Sequence, residues 1–319
     1  MLLHQERQGE VNVLLSTLLS SALPVVIILS FTNLPPLFSA GMSTLFAGGF
    51  FACLLTLKRE WPFLLRCTAW RDILLATFFI GIAGYGCYFL GLKYTTAGNA
   101  AILSTTEVFF SFLILGLLLR HEPLLPRTVA GAVCMVCGAL LILLPKGTGA
   151  WQWGNLLILL SAALAPFGNR YAQRARKVVS TNVIMFCRSI ISGGCLLLLA
   201  LTFEQTPTHE AVFASLAFLL ANGFLLLGLS VSLWVEAIHL IPITKAVAMV
   251  SILPLCTLLV AWLVLHETPS VLQIASLLPI AAGMFLLTKP ARTPPLPAPL
   301  PQGEGRPHGM EKVSLEKGQ

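Results

Sequence analysis

Charged residues are scarce in this sequence. Asp, Glu, Lys and Arg make up only 10% of its 319 residues, whereas a soluble domain carries roughly 25%. Hydrophobic residues reach 56%, and the mean hydropathy is +0.86. The composition therefore excludes an ordinary soluble enzyme, a disordered regulator and a nucleic-acid-binding protein.

Motifs for cofactors and metals are missing as well. No GxxxxGK[ST] phosphate-binding loop occurs, which leaves direct ATP drive unsupported. His121-Glu122 and His266-Glu267 resemble the start of HExxH, but no second His follows, so no zinc site is predicted. Cys134 and Cys137 have CxxC spacing inside an apolar helix with no second pair, which favours packing over redox chemistry. We expect no enzyme activity, no cofactor and no metal.

Long apolar runs dominate what is present. In lipid the backbone must satisfy its own hydrogen bonds, so such runs form transmembrane helices. The first run lacks the basic flank of a cleaved signal peptide. The sequence predicts ten spans, at about residues 12–30, 36–57, 72–92, 97–119, 125–145, 154–172, 180–202, 211–235, 245–265 and 270–288.

The basic residues indicate the orientation of these spans. Alternate joints collect eleven Lys and Arg residues, and the other joints hold only Lys93 and Lys146. Because cytoplasmic loops are enriched in Lys and Arg, both termini are predicted to be cytoplasmic. Residues 289–319 are rich in proline and charge and are predicted to form a disordered cytoplasmic tail.

An internal repeat occurs at an offset of 145 residues. His121-Glu122 recurs as His266-Glu267, Gly138 as Gly283 and Pro145 as Pro290. The sequence thus predicts two five-helix repeats, at 12–145 and 154–288. Because five is an odd number, the second repeat is inverted in the membrane, as in many secondary transporters whose substrate site lies where the halves meet.

Two stretches carry a family resemblance. The segment LKYTTAGNAAILSTTEVFF from Leu92 and the segment AIHLIPITKAVAMVSILPL from Ala237 resemble the drug/metabolite transporter superfamily, specifically its EamA-type domain. Leu34-Pro35-Pro36 and Arg188 are also similar to the family pattern. The resemblance covers about residues 12–288 and implies an all-α ten-helix permease of a bacterial inner membrane that exports or exchanges small metabolites. Two positions depart from the pattern: Ser43 stands opposite Arg188 in the repeat, and Glu107 is followed by Val108 rather than Pro.

Two charged residues inside the spans are the leading candidates for the pathway. Glu107 falls about ten residues into the fourth span, which is roughly 15 Å deep. An acid near mid-bilayer is costly and usually has a partner or faces water, so it either binds a proton or an ammonium, or belongs to a buried structural network. Arg188 in the seventh span either clasps a carboxylate or ties helices together.

Other polar residues complete the candidate set. Glu122 and Glu267 end the fourth and ninth spans, and their recurrence predicts helix capping, ion pairing or gating. Amides and aromatic rings inside the spans are further pathway candidates: Tyr85, Tyr88, Asn99, Asn169, Asn222 and Trp234.

The sequence as a whole predicts a secondary transporter. It would export a small metabolite or drug by alternating access, and proton coupling through Glu107 is a hypothesis. The alternatives are an uncoupled facilitator or exchanger, and a non-transporting membrane scaffold that uses the proline-rich tail. The expected partners are a small-molecule substrate, the lipid bilayer and optionally a second copy of the chain, and no nucleic acid.

Overall fold

Helices account for the regular structure of the described residues. The computed structural model describes residues 2–65, 69–114, 126–144 and 153–288. Glu122 and the predicted tail therefore lie outside the described residues. The ten long helices of the described part are α1 (Leu2–Ser30), α2 (Pro36–Leu57), α3 (Trp70–Leu92), α4 (Ala97–Ile114), α5 (Pro126–Leu143), α6 (Trp153–Ala175), α7 (Thr181–Phe203), α8 (His209–Leu240), α9 (Ile243–Val250 and Leu253–Leu265) and α10 (Val271–Thr288).

Nine of these ten helices, counted over the described residues, are long and apolar enough to cross a membrane. The exception is α6, which carries Asn155, Asn169, Arg170 and Arg174 along its length. It nevertheless packs inside the bundle, against α3 and α4. The predicted all-α membrane fold is confirmed.

Local sequence signals set where several helices begin. The hydroxyls of Thr96, Ser180 and Thr208 accept hydrogen bonds from the backbone N–H groups three residues later. These are N-caps, which supply acceptors to the unpaired amides of the first turn. Pro36 opens α2, where its fixed φ suits the first helical position. Short joints therefore connect antiparallel neighbours.

The helix contacts have a twofold pattern. Helix α2 packs on α7 and α5 packs on α10, so each of these four helices contacts its own repeat partner. The contacts α1–α8, α2–α8 and α1–α9 recur as α6–α3, α7–α3 and α6–α4. In the α2–α7 pair, Gly41 lies against Leu197 and Gly48 against Ile190, which makes the two helices antiparallel. The predicted inverted repeat architecture is thus present in the bundle, while the boundaries 12–145 and 154–288 stay predictions.

Close backbone approach requires glycine where α5 crosses α10. A Cβ on Gly283 would lie 2.7 Å from the carbonyl oxygen of Gly131, and a Cβ on Gly138 would lie 2.4 Å from Cγ1 of Ile280. Small residues let transmembrane helices pack closely in lipid, where burial of apolar surface gives no drive. Gly138 and Gly283 are repeat partners, so the two contacts are related by the same symmetry.

Irregular helix geometry also recurs in both repeats. Helix α3 is a π-helix over Thr77–Gly84, and α8 is a π-helix over Ala221–Leu229. Helices α4 and α9 are interrupted at residues 105–106 and 251–252. Each pair lies about 145 residues apart. Such irregularities occur often at functional sites, and discontinuous helices are typical of transporter binding sites.

Candidate functional site

A cavity of about 250 Å³ lies between the two halves of the bundle. Helices α1, α3 and α4 contribute its first wall, and α6, α8 and α9 contribute the second. Both π-helices reach it, through Ile80 and Leu227. Most of its lining is apolar, and the polar side chains in the lining are Ser20, Tyr85, Tyr88, Ser104, Glu107, Ser161 and Thr257.

Among the described residues, Glu107 is the one charged residue that lines this cavity. It follows the interruption of α4, and its Oε1 accepts a hydrogen bond of 2.7 Å from Nδ2 of Asn169 on α6. The described residues place no Lys, Arg or His within ion-pairing distance of its carboxylate. The acid and the amide come from opposite repeats, so the hydrogen bond crosses the interface between the halves.

The twofold symmetry of the scaffold does not extend to this pair. The repeat partner of Glu107 is Ile252, and the repeat partner of Asn169 is Pro24. Pro24 lines the same cavity. Polar chemistry is therefore concentrated in one half of a site whose helices are arranged symmetrically.

Two tyrosines extend the polar side of the cavity. Tyr88 and Ser104 both line the cavity. The Tyr85 hydroxyl accepts a long hydrogen bond of 3.5 Å from Nη2 of Arg188, whose guanidinium lies 5.9 Å from the centre of the Tyr85 ring. Tyr85 thus stands between the cavity and the buried guanidinium.

Arg188 is buried without an acidic partner among the described residues. Its side chain is only 8% exposed, and its Nε has no hydrogen-bond partner in the described part of the chain. Partial burial lowers the pKa of Arg176, just beyond α6, and the charge of Arg188 lowers it further.

A second cavity of about 210 Å³ adjoins the first. Ser20 and Leu253 line both. Ser20 donates to or accepts from Ser230 at 2.6 Å, and the Ser16 hydroxyl donates to the Ser230 carbonyl oxygen at 2.8 Å. Trp234 lines this second cavity. The two cavities together run along α1, α8 and α9 toward the end of the bundle where α1 begins, called here the N-terminal end.

Ion pairs join α1 to α9 at the N-terminal end. Nζ of Lys245 lies 2.6 Å from a carboxylate oxygen of Glu6 and 2.5 Å from one of Glu10. All three side chains are more than a third exposed to solvent. The hydrogen bonds that Lys245 donates to Glu10 and Glu6 raise its pKa, and such exposed pairs contribute little to stability.

A buried amide network joins helices at the opposite end. Nε2 of Gln273 on α10 donates to Oδ1 of Asn99 on α4 at 2.8 Å and to the Thr96 hydroxyl at 3.2 Å. Nδ2 of Asn99 donates to Oδ1 of Asn155 on α6 at 3.4 Å, and the Thr95 hydroxyl donates to that same oxygen. Asn99 is thus part of this network and does not line either of the two cavities.

Glu267 lies at the same end and caps α4. His266 ends α9 in the left-handed conformation, with φ 56°, and the Glu267 N–H bonds back to the Ala261 carbonyl. This turn brings Oε2 of Glu267 within 3.2 Å of the Ala97 N–H at the start of α4. Burial raises the Glu267 pKa, and the backbone N–H groups of Ala97 and Gly98 lower it in part.

Asn222 lies away from the cavity lining, in the π-helix of α8. It is fully buried, and neither polar atom of its side chain has a hydrogen-bond partner in the described part of the chain. Its neighbour Gly223 packs against Ser43 and Phe46 of α2. The structure therefore brings together Glu107, Asn169, Tyr85, Tyr88 and Arg188. Trp234 lies in the adjoining second cavity. Asn99, Asn222 and Glu267 are separate from this group.

Several polar residues of the site were not among the sequence candidates. Ser161 and Thr257 line the cavity, and Asn155 and Gln273 complete the amide network. Single serines and threonines in apolar helices give no signal, because most of them bond to their own backbone. Asn155 and Gln273 could have been found as amides near the ends of spans.

Comparison with known proteins identifies the scaffold. The family model described as the EamA-like transporter family matches residues 7–144 and again residues 152–289. The chain belongs to the EamA-like transporter family. Each match spans one five-helix half, in agreement with the twofold helix contacts.

Relatives of this EamA-like chain agree with that assignment. It is 23% identical over 259 residues to the uncharacterized transporter YoaV of Bacillus subtilis. The aligned region covers 80% of this chain and 88% of YoaV. It is 24% identical over 267 residues to the uncharacterized transporter YetK of the same organism, covering 80% of this chain and 78% of YetK. Its fold is similar to a protein of known crystal structure, with a TM-score of 0.63 at 18% identity, covering 87% of this chain and 95% of the other. The protein is a multi-pass membrane transporter.

Proposed function

We propose that this transporter exports a small cationic metabolite or drug by alternating access, in exchange for protons. The observation that carries the proposal is the Glu107 carboxylate, which lies in a cavity between two inverted repeats with an amide partner and no basic one among the described residues. Such a carboxylate binds either a proton or an ammonium, since one negative charge in an apolar site favours one positive charge.

The cavity supports a small amphipathic substrate. Its volume of about 250 Å³ is below the roughly 300–1,000 Å³ typical of drug-sized sites. Leu23, Ile80 and Phe89 supply apolar walls, and the carboxylate with the two tyrosine hydroxyls supplies a polar end. A primary or secondary amine with a short aromatic or aliphatic body matches both.

The proposed cycle exchanges one proton for one substrate cation. With the cavity open to the exterior, a proton from outside displaces the ammonium from Glu107 to the exterior. Loss of that proton when the cavity is open to the cytoplasm restores the anionic site for the next substrate. Because one positive charge moves each way, the exchange is electroneutral. A pH gradient should drive it, and a membrane potential should not.

The two ends of the bundle support alternating access. Exposed ion pairs of Lys245 join the helices at the N-terminal end, and buried amides of Asn99, Asn155 and Gln273 join them at the other. The second cavity extends the first toward the N-terminal end. We assign that end to the cytoplasm of a bacterial inner membrane because Lys58, Arg59 and the arginines that end α6 lie there.

The experiment is transport in liposomes after a thermal-shift screen has selected a ligand from amines, amino acids, nucleosides and sugars. Wild-type flux should follow the pH gradient and ignore a potassium–valinomycin potential. Glu107→Gln should keep the fold, and its pH-driven flux should be at least tenfold lower than that of the wild type. Glu210→Gln, an exposed acid in the first turn of α8, is the matched control and should leave flux unchanged. Unchanged pH dependence in Glu107→Gln would remove proton coupling, and counterflow without any pH dependence would establish an uncoupled exchanger.

A further inference from the structure

A third cavity lies beside the two pathway cavities. It has a volume of about 620 Å³ and is lined by α2, α7 and α8 near the N-terminal end. Among the described residues it shares no lining residue with the central cavity and one, Val231, with the second cavity. We call it the α2–α7–α8 groove, and nothing in the proposed transport cycle uses it.

The groove combines an apolar wall with a charged rim. Phe50, Phe51 and Leu233 are among the residues that form the wall. Lys58 and Glu236 stand at the rim, together with Glu60 and His239. This arrangement suits a ligand with a long apolar part and a charged head, and the rim lies at the helix ends, where headgroups meet a transmembrane bundle.

Two polar groups of the groove differ in their hydrogen bonding: the Glu60 carboxylate has partners, and the Ser232 hydroxyl has none among the described residues. Both the Ser180 hydroxyl and Nδ2 of Asn182 donate to Oε2 of Glu60, at 2.6 Å and 3.0 Å. Glu60 therefore holds the first turn of α7 in place. The Ser232 hydroxyl, which also lines the groove, is buried with no hydrogen-bond partner among the described residues. A buried hydroxyl without a partner is costly.

The charges at the rim select the head of the ligand. One lysine stands against two carboxylates, so a purely anionic head would meet more repulsion than attraction. A head that carries a phosphate beside a primary ammonium matches both signs, with the phosphate toward Lys58 and the ammonium toward Glu236. We propose that the α2–α7–α8 groove binds an aminophospholipid, with its phosphoethanolamine head at the rim and an acyl chain along the Phe50–Phe51 wall.

Native mass spectrometry of the detergent-purified protein tests this assignment. The protein is incubated with equal amounts of phosphatidylethanolamine, phosphatidylcholine and phosphatidylglycerol of identical chains, and bound lipid is counted. We expect phosphatidylethanolamine to be retained about fivefold over each of the others. Phosphatidylglycerol lacks the ammonium that would pair with Glu236, and one charged contact near the membrane surface is worth about that factor. The quaternary ammonium of phosphatidylcholine carries the same charge but has no N–H to donate to the Glu236 carboxylate. The double variant Lys58→Gln/Glu236→Gln should abolish the preference.

Matched controls separate the groove from general effects of charge. Lys93→Gln/Glu210→Gln removes one exposed cation and one exposed anion from the opposite end and should keep the preference. Equal retention of the three lipids, or a preference for phosphatidylglycerol, would overturn the proposal. Free phosphoethanolamine is tested in a thermal melt at the concentration at which the lipid protects. If it protects equally well, the groove binds a soluble ligand and the assignment of a lipid is overturned. None of these readouts depends on transport, so failure here leaves the proposed function standing.

Discussion

Asn169 on α6 donates a hydrogen bond of 2.7 Å to Glu107 on α4, and so ties the two inverted repeats together through the one charged side chain that lines the central cavity in the described part of the chain. The bond has no counterpart in the other half, where Ile252 and Pro24 occupy the equivalent positions. The scaffold is therefore symmetric while the chemistry of its central cavity is one-sided.

Removal of the Asn169 amide should weaken substrate binding. In Asn169→Leu the Glu107 carboxylate loses its donor, and an unsatisfied buried polar group costs about 1–3 kcal/mol, more when it is charged. We expect the KM for substrate in liposomes to rise at least fivefold and the melting temperature to fall. Asn169→Gln keeps an amide donor and should recover most of the loss. Equal behaviour of the Leu and Gln variants would argue for a purely steric role.

The crossing of α5 and α10 should not tolerate a methyl group. Gly283→Ala would bring a Cβ to 2.7 Å from the backbone oxygen of Gly131, and overpacking of this kind costs about 1–3 kcal/mol. A thermal melt in detergent measures the loss. Gly194→Ala is the control, because a Cβ there meets nothing within 4 Å. It should be neutral or slightly stabilising, since Ala is the better helix former.

Glu267 should make stability depend on pH in a defined direction. Its pKa is raised by burial, so the folded protein binds its proton more tightly than the unfolded chain does. Stability contributed by this group is then lost as pH rises from the ordinary Glu value of 4.5 through the raised one. Glu267→Gln should melt like the wild type at pH 4 and become relatively more stable as pH increases.

The opposite trend would identify a different balance at this helix start. If the advantage of Glu267→Gln shrank or reversed with rising pH, the N–H groups of Ala97 and Gly98 would be stabilising the charged carboxylate more than burial penalises it. Differential scanning fluorimetry between pH 4 and pH 8 separates the two, with Glu210→Gln as the exposed-acid control.

The amide network should hold the end of the bundle opposite to the N-terminal end. Gln273→Leu removes the donor to Asn99 at 2.8 Å and leaves a buried amide oxygen short of a partner, at a cost of about 1–3 kcal/mol. We expect a lower melting temperature and faster hydrogen exchange at the start of α4. Gln205→Leu, at an exposed position after α7, makes the same chemical change without burial and should have no effect.

The sequence by itself determined the membrane class, the helices and their repeat. Apolar length and the offset of 145 residues are local or one-dimensional properties, so they predicted ten helices and an inverted pair of halves without any knowledge of packing. The same reasoning found Glu107 and Asn169, because an acid or an amide inside an apolar helix is conspicuous on its own.

Only the tertiary structure decided which polar residues meet. Asn99 and Asn169 are both amides inside predicted spans, and the sequence does not distinguish them. Asn99 belongs to the amide network at the end of the bundle, whereas Asn169 donates a hydrogen bond to Glu107 at the cavity. Glu267 contacts α4, because α4 and α9 are repeat partners that pack together. Such contacts depend on helix rotation and crossing, which backbone approach at small residues sets, and an apolar sequence carries almost no information about rotation when lipid and protein are equally apolar surroundings.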